Sequence, residues 1–319
     1  CENAAGRDSS RPDRRTEGGG VSRSLDWNRD GRIWPHRSAS LFVPSGGATW
    51  HVQRMGPAGA PQILLLHGTG ASVHSWRDVM PLLAEDHDCI AIDLPRHAFT
   101  AGHALDDTSL PRMTTRIAGL LRDIDAAPTA IVGHSAGAAI AIQFALDHGY
   151  AGPIVGLNSA LRPFPGPAAQ VFPALAKALF VNPLVPRIFA ATTTLPGEAS
   201  RFLHRSTGSR LDDTGLTCYS ALLRNPHHAR GALAMMANWD LPRLKSRLGE
   251  AVNPVLLVHS DEDAAIPLDW TREAVGWLPN ASLEVLNGLG HLAHEEEPER
   301  AAALIRSFTR SQSHKERTA

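Results

Sequence analysis

Gly133-His134-Ser135-Ala136-Gly137 is the stretch whose reading decides the fold, with Thr129-Ala130-Ile131-Val132 before it and Ala138-Ala139-Ile140-Ala141-Ile142-Gln143-Phe144-Ala145-Leu146 after it. The upstream run is short, apolar and rich in β-branched residues, which suits a strand. The downstream run is Ala- and Leu-rich, too long for a typical strand, and ends at Asp147-His148-Gly149, a helix stop. Strand, sharp turn and helix follow in that order. A serine on such a turn is held in a strained conformation with its hydroxyl pushed out of the sheet, and the flanking glycines let the two backbones pass without a Cβ clash. Two glycines and a serine also arise by chance in Gly-rich loops, so the serine's partners must be sought elsewhere in the chain.

The chain has 319 residues, of which 43% are hydrophobic, enough for a large core in one domain or a domain carrying an insertion. A formal net charge of -1 gives no electrostatic reason to expect nucleic acid. Cys1, Cys89 and Cys218 are odd in number and lack C-x-x-C spacing, so neither a disulfide framework nor a zinc site is indicated. That usage suits a reducing, cytoplasmic setting. No apolar run is long enough to span a bilayer, and no G-x-x-x-x-G-K loop marks a nucleotide-driven motor. No cofactor or metal site is expected. Residues 1–24 are rich in Arg, Asp, Ser and Gly. They read as a disordered arm or the upstream end of an incomplete frame, with a lipid-bearing Cys1 as a further reading. Residues 312–319 form a polar tail.

From Trp27 onward the pattern is ordered. Leu41-Phe42-Val43 and Thr49-Trp50-His51-Val52-Gln53 read as a hairpin, and Pro61 to Leu66 as a strand covered on both faces. The loop His67-Gly68-Thr69-Gly70-Ala71-Ser72 leaves backbone N–H groups available. A helix around Trp76 to Ala84, a strand Asp88 to Ile92 and a helix Arg116 to Asp125 lead to the serine strand, and Pro153 to Leu157 is the next strand. Such alternation implies an α/β fold with a mostly parallel central sheet and helices on both faces. Between Leu161 and Leu248 no buried strand is legible, only helical pieces punctuated by prolines. We assign 25–160 and 249–311 to the core domain and 161–248 to a helical cap over the ligand-binding edge of the sheet. Pro254 to Val258 and Ser282 to Leu286 resume the strands, and a last helix runs from Pro298 to Phe308.

A serine hydroxyl is a poor nucleophile unless a neutral imidazole takes its proton and a carboxylate fixes that imidazole's tautomer. The loops after the two late strands supply both types of group. Asp261 and Asp263 follow the first, and Gly288-Leu289-Gly290-His291 follows the second. Sixteen histidines dilute the significance of any one of them; His291 is singled out by its place after a strand and a Gly-x-Gly turn. His291 and His294 at i, i+3 could also be metal ligands, but no third ligand clusters with them, and His294-Glu295-Glu296 reads as a helix start.

In combination these motifs closely resemble the α/β-hydrolase fold from Trp50 to Phe308. That resemblance selects Asp263, four residues before Pro267, as the acid. It implies a triad of Ser135, Asp263 and His291, with the backbone N–H groups of Thr69 and Ala136 as the oxyanion hole. A narrower likeness is carried by Trp34-Pro35-His36-Arg37, the His67 to Ser72 loop, Gly133 to Ala139, Asn182-Pro183-Leu184-Val185-Pro186, Ala234 to Asp240 and Gly290 to Glu296. These look like the magnesium-chelatase accessory proteins of bacteriochlorophyll biosynthesis. That implies a photosynthetic bacterium, a hydrophobic ligand of which a tetrapyrrole is one candidate, magnesium chelatase subunits as partners, and a place in the cytoplasm or at the periphery of the photosynthetic membrane. Two functions follow: a serine hydrolase acting on an ester-like carbonyl, or a non-catalytic porphyrin- or chelatase-binding protein with an inherited triad.

Related hydrolases carry glycine where this chain has Arg96 and Ala98; if either position needs positive φ, the loop is strained or re-routed. The apolar run Val171 to Val181, continued by Leu184 to Ala190, is expected to close an apolar pocket. The alternative is a face toward a membrane or a hydrophobic partner, for which Lys177 and Arg187 are few. Phe172, Met235, Met236 and Trp239, with His67, Gly68 and His134, are the pocket candidates, although residues at helical spacing are equally often plain core.

Overall fold

The structure, a computed structural model, describes residues 24–162, 191–192, 195 and 197–318. Its strands are β1 (Ser40–Ser45), β2 (Ala48–Met55), β3 (Gln62–Leu66), β4 (Asp88–Ile92), β5 (Ala130–His134), β6 (Ile154–Leu157), β7 (Val255–Ser260) and β8 (Ala281–Leu286). They form one sheet in the order β1-β2-β4-β3-β5-β6-β7-β8. β1 pairs antiparallel with β2, and β2 antiparallel with β4. From β4 to β8 every pairing is parallel. The fold is that of the α/β hydrolases.

Period-two alternation divides the core into two layers. Ile63, Leu65, Cys89, Ala91, Val132, Val155 and Val258 face one cluster, while Leu64, Leu66, Ile90, Ile92, Ile131, Ile154 and Leu257 face the other. On the first face, α1 (Val79–Leu83) contributes Val79, Met80 and Leu83. On the second, α2 (Leu110–Asp123) contributes Leu110, Met113 and Ile117, and α3 (Ala136–His148) contributes Ala139, Ile140 and Ile142. Between β6 and β7 lie α4 (Glu198–Thr207), α5 (Asp213–Leu223), α6 (Pro226–Asn238) and α7 (Leu241–Arg247). Next come α8 (Leu268–Val275), α9 (Ala293–Glu296) and α10 (Pro298–Thr318). Phe172 and the apolar run 171–190 fall outside the described residues.

Three elements differ from the periodicity reading. α2 begins at Leu110 rather than Arg116, because Pro111 sits in its first turn, where a proline has no intrahelical N–H to lose. α1 is short because Val73–Trp76 forms a 3₁₀ turn before it. α10 runs past Phe308 to Thr318, since no glycine or proline follows Pro298 to stop it.

α3 leaves β5 with almost no connecting chain. A Cβ on Gly137 would sit 2.0 Å from the Leu66 carbonyl oxygen of β3, and one on Gly133 would sit 2.2 Å from the Gly137 carbonyl carbon. Both positions oppose backbone, which cannot swing aside. Gly137→Ala is therefore expected to lose about 3 kcal/mol or more of stability in urea denaturation. Gly249→Ala, where an added Cβ meets nothing within 4 Å, should change stability by about 1 kcal/mol or less.

Candidate active site

Ser135 is the N-cap of α3 and has φ 51 and ψ -112, outside the left-handed well as well as the right-handed one. Such a backbone costs on the order of 1–3 kcal/mol and persists only where its surroundings over-determine it. Here the Ser135 N–H donates to Leu157 O of β6 at 2.8 Å, and Ser135 O accepts from Ala138 and Ala160. The turn leaves the N–H groups of Thr69 and Ala136 without hydrogen-bond partners among the described residues. Ala136 is the first residue of α3, where N–H groups have no intrahelical acceptor and the helix dipole favours negative charge.

β7 and β8 run parallel, so the loops after them leave the same edge of the sheet. His291 Nδ1 donates to Asp263 Oδ2 at 2.7 Å. The same carboxylate accepts the Asn158 amide at 2.8 Å, and its other oxygen accepts the N–H groups of Ala265 and Ile266 at 2.7 and 2.8 Å. The Asp263 side chain is 1% exposed. Burial pushes its carboxyl upward, but the hydrogen bond and charge of His291, with Ile266 N–H and Asn158, outweigh burial and hold it below the ordinary carboxylate value. Asp261 plays a different part, since its Oδ1 accepts Gly288 N–H at 2.7 Å and ties the two loops together. Ser135 and His291 line one cavity, and their side chains are not hydrogen-bonded to each other.

Helix α4 clasps both loops. Its last carbonyl, Thr207 O, accepts His291 N–H at 2.7 Å and Ala264 N–H at 3.4 Å, and Ser209 Oγ accepts Leu292 N–H at 2.8 Å. Behind His291, buried Glu295 accepts Tyr219 Oη at 2.7 Å and pairs with Arg77, which also binds Asp212 at 2.7 Å. Burial lifts the Glu295 carboxyl to about 7, with Arg77 pulling the other way.

Other histidines near Ser135 are neutral and serve the backbone. His134 Nε2–H donates to His291 O at 2.9 Å, and burial, with His291 adding, pushes its pKa down to about 3. His228 accepts Ala98 N–H at 3.0 Å and donates to Gly70 O at 3.1 Å; burial lowers it to about 3 as well. His67 accepts Leu94 N–H at 3.0 Å, donates to Gly68 O at 2.8 Å, and is driven well below the ordinary histidine value by burial. His291, unlike these three, bonds a carboxylate through one ring nitrogen, and it lines the cavity. Among the described residues no group of three or more His, Cys, Asp or Glu is arranged to hold a metal ion.

The cavity encloses about 430 Å³. Gly68, Thr69, His134, Ser135 and His291 are in its wall. His67 is not; it is fully buried and braces the loop from behind, a correction to its reading as a pocket residue. Met235 also faces away, fully buried in the sheet-side core with its Sδ near Thr69 Oγ1, and Trp239 packs on that core. Their neighbour Met236 lines the cavity instead. Ala229, Ala232, Leu233 and Met236 stand at i, i+3, i+4 and i+7 on one face of α6, a stripe legible in the sequence once one member is placed. Phe202 and Leu203 of α4 and Tyr219 and Leu223 of α5 complete the apolar side; no local signal marked them.

Arg96 and Ala98 both adopt positive φ, 66 and 41, so the loop is strained rather than re-routed. Arg96 is held by a 2.7 Å bond to His103 O, Ala98 by its bond to His228, and Phe99 N–H by Asp93 at 3.2 Å. Asp93, itself buried, also bonds His51 at 2.7 Å and Val73 N–H at 2.8 Å.

The sequence profile of the family described as "Alpha/beta hydrolase family" matches residues 63–304. The chain is 40% identical over 266 residues to the "Magnesium-chelatase 30 kDa subunit" of Rhodobacter capsulatus, covering 82% of this chain and 91% of that protein. It is 27% identical over 260 residues to a 2-hydroxy-6-oxononadienedioate/2-hydroxy-6-oxononatrienedioate hydrolase of Pseudomonas putida, covering 78% and 88%. The crystal structure of epoxide hydrolase A from Mycobacterium thermoresistibile superposes with a TM-score of 0.69 at 22% identity, covering 85% of this chain and 98% of that one, a likeness of fold.

Because the Asp263 pKa is depressed on folding, its contribution to stability is present above the unfolded value near 3.8 and is lost as pH falls through the lower folded value. The urea midpoint of the native protein should exceed that of Asp263→Ala by a constant margin above about pH 5, and the margin should shrink below about pH 4.

Proposed function

The chain belongs to the alpha/beta hydrolase family, and on that premise we propose that it is a serine hydrolase that cleaves an ester or similar carbonyl compound with a hydrophobic moiety. The observation that carries this reading is the 2.7 Å bond between His291 Nδ1 and a buried, fourfold-bonded Asp263, with His291 and Ser135 lining one cavity; donating Nδ1–H to the carboxylate leaves Nε2 the basic nitrogen.

In this mechanism Ser135 Oγ attacks the carbonyl carbon while His291 Nε2 takes the hydroxyl proton. Asp263, ionised, stabilises the imidazolium and keeps the ring in the required tautomer. The tetrahedral oxyanion is held by the N–H groups of Thr69 and Ala136, preorganised by the turn and by the start of α3; each such donor contributes about 3 to 4 kcal/mol to the transition state. Collapse breaks the ester C–O bond, and His291 returns the proton to the leaving alcohol. Water, deprotonated by His291, then attacks the acyl-serine; the intermediate expels Ser135 Oγ, which recovers the proton, and releases the carboxylic acid.

The likeness to a protein named as a magnesium-chelatase subunit supports placing this activity beside magnesium insertion in bacteriochlorophyll biosynthesis, with chelatase subunits as partners and a tetrapyrrole as a candidate ligand. A cytoplasmic or membrane-peripheral location accords with that role. Among the described residues no helix is long and apolar enough to cross a membrane. The same likeness supports the second reading, a binding protein that does not use its serine.

A fluorophosphonate probe should label the native protein at Ser135 and leave Ser135→Ala unlabelled; absence of label on folded native protein would refute the hydrolase reading. Ser135→Ala and His291→Ala should each lower kcat/KM for a hydrolysed ester by roughly 10⁴-fold or more, and Asp263→Asn by roughly 10³-fold or more. In a reconstituted chelatase assay, stimulation by Ser135→Ala equal to that by native protein would favour the binding role.

A further inference from the structure

Several polar side chains of the cavity wall are already occupied within the protein. Ser206 Oγ donates to Phe202 O at 2.8 Å, Thr207 Oγ1 to Leu203 O at 2.7 Å, and Tyr219 Oη to Glu295 at 2.7 Å. Both ring nitrogens of His228 are bonded to backbone, and the free Nδ1 of His134 is buried out of reach. Thr69 Oγ1 has only a long contact to Met235 Sδ at 3.6 Å, so among the described residues the wall side chains left to a ligand are those of Thr69, Ser135 and His291.

Among the described residues no Lys or Arg lines the cavity to supply a counter-charge. The buried guanidinium behind Tyr219, that of Arg77, is taken up by Glu295, Asp212 and Asp78. The wall histidines His134 and His228 are held neutral by burial. Among the described residues, a carboxylate entering away from Thr69, Ser135 and His291 would lose its water and find neither a cation nor a free side-chain donor, a large penalty for an ion.

Resting on the hydrolase reading, we infer that the cavity takes the acyl part of the substrate as an uncharged, apolar group, and that an acyl group bearing a free carboxylate is rejected. The reaction end is polar, and the remainder, walled by Phe202, Leu223, Leu233, Met236 and Leu292, selects by apolar contact. The chain therefore parts from its Pseudomonas putida relative, which is named for a dioate, a compound with two carboxylates. A tetrapyrrole would enter this cavity only through an esterified, uncharged side chain.

The test compares p-nitrophenyl hexanoate with the mono-p-nitrophenyl ester of adipic acid, whose chain is of equal length and ends in a carboxylate. The native protein should prefer the hexanoate by about 100-fold or more in kcat/KM. Leu233→Arg or Met236→Arg, each at a half-buried position, should shrink that ratio by about 10-fold or more by supplying the missing cation. Equal kcat/KM for the two esters in native protein would overturn the inference while leaving the hydrolase reading intact. If neither ester is cleaved and Ser135 takes no fluorophosphonate, the hydrolase reading fails. The cavity is then judged by calorimetric binding to Ser135→Ala: binding of the hexanoate ester alone sustains the charge selection, and equal binding of both esters overturns it.

Discussion

A hydrogen atom is all the space that the first turn of α3 leaves at Gly137, because its Cα rests on the Leu66 carbonyl of β3. The rest of the site depends on that close approach. It lets a helix start directly from β5, and the turn between them must then adopt the backbone seen at Ser135, with its side chain forced away from the sheet. The same turn leaves the Ala136 N–H without a hydrogen-bond partner among the described residues. A strained backbone at Ser135 and an unpaired N–H at Ala136 are thus two results of one packing constraint, offset by the bond from Ser135 N–H to Leu157 O and by those that Ser135 O accepts from Ala138 and Ala160.

Two further devices hold the surroundings of the serine. Parallel pairing of β7 and β8 brings the Asp263 and His291 loops out at one edge, and Thr207 O then binds backbone of both. The helical segment between β6 and β7 therefore does more than join two strands: the end of α4 is part of the frame that holds the Asp263 and His291 loops together. Buried neutral histidines play a related part. His67, His134 and His228 each bond backbone of the loops around the cavity, and desolvation holds them neutral.

Among the described residues charge stays out of the cavity wall. Arg77 pairs with buried Glu295 and with the exposed carboxylates of Asp212 and Asp78, and the hydroxyls of Ser206, Thr207 and Tyr219 turn back to helix carbonyls or to Glu295. Such pairs add little net stability when buried, but breaking one leaves an uncompensated charge, so they fix geometry more than they add energy. The described part of the cavity wall is mostly apolar, with Thr69, Ser135 and His291 among its polar members.

The sequence by itself determined the architecture, because alternation at period two, helical runs and turn glycines are local signals. β4 was legible to the residue, and Gly133 to Gly137 announced the turn through residue types that only a close backbone crossing requires. It also marked Ser135, Asp263 and His291 as candidates, and it raised the question of φ at Arg96 and Ala98. Only the tertiary structure decided that these two accept positive φ, since the bonds to His103 and His228 that offset the cost come from elsewhere in the chain. It alone separated Met236 from Met235, because helical phase on α6 is set by packing and not by composition. And it alone distinguished His67 the buried brace from His291 beside Asp263, because a histidine's role rests on which groups face its two nitrogens, and those neighbours are distant in sequence.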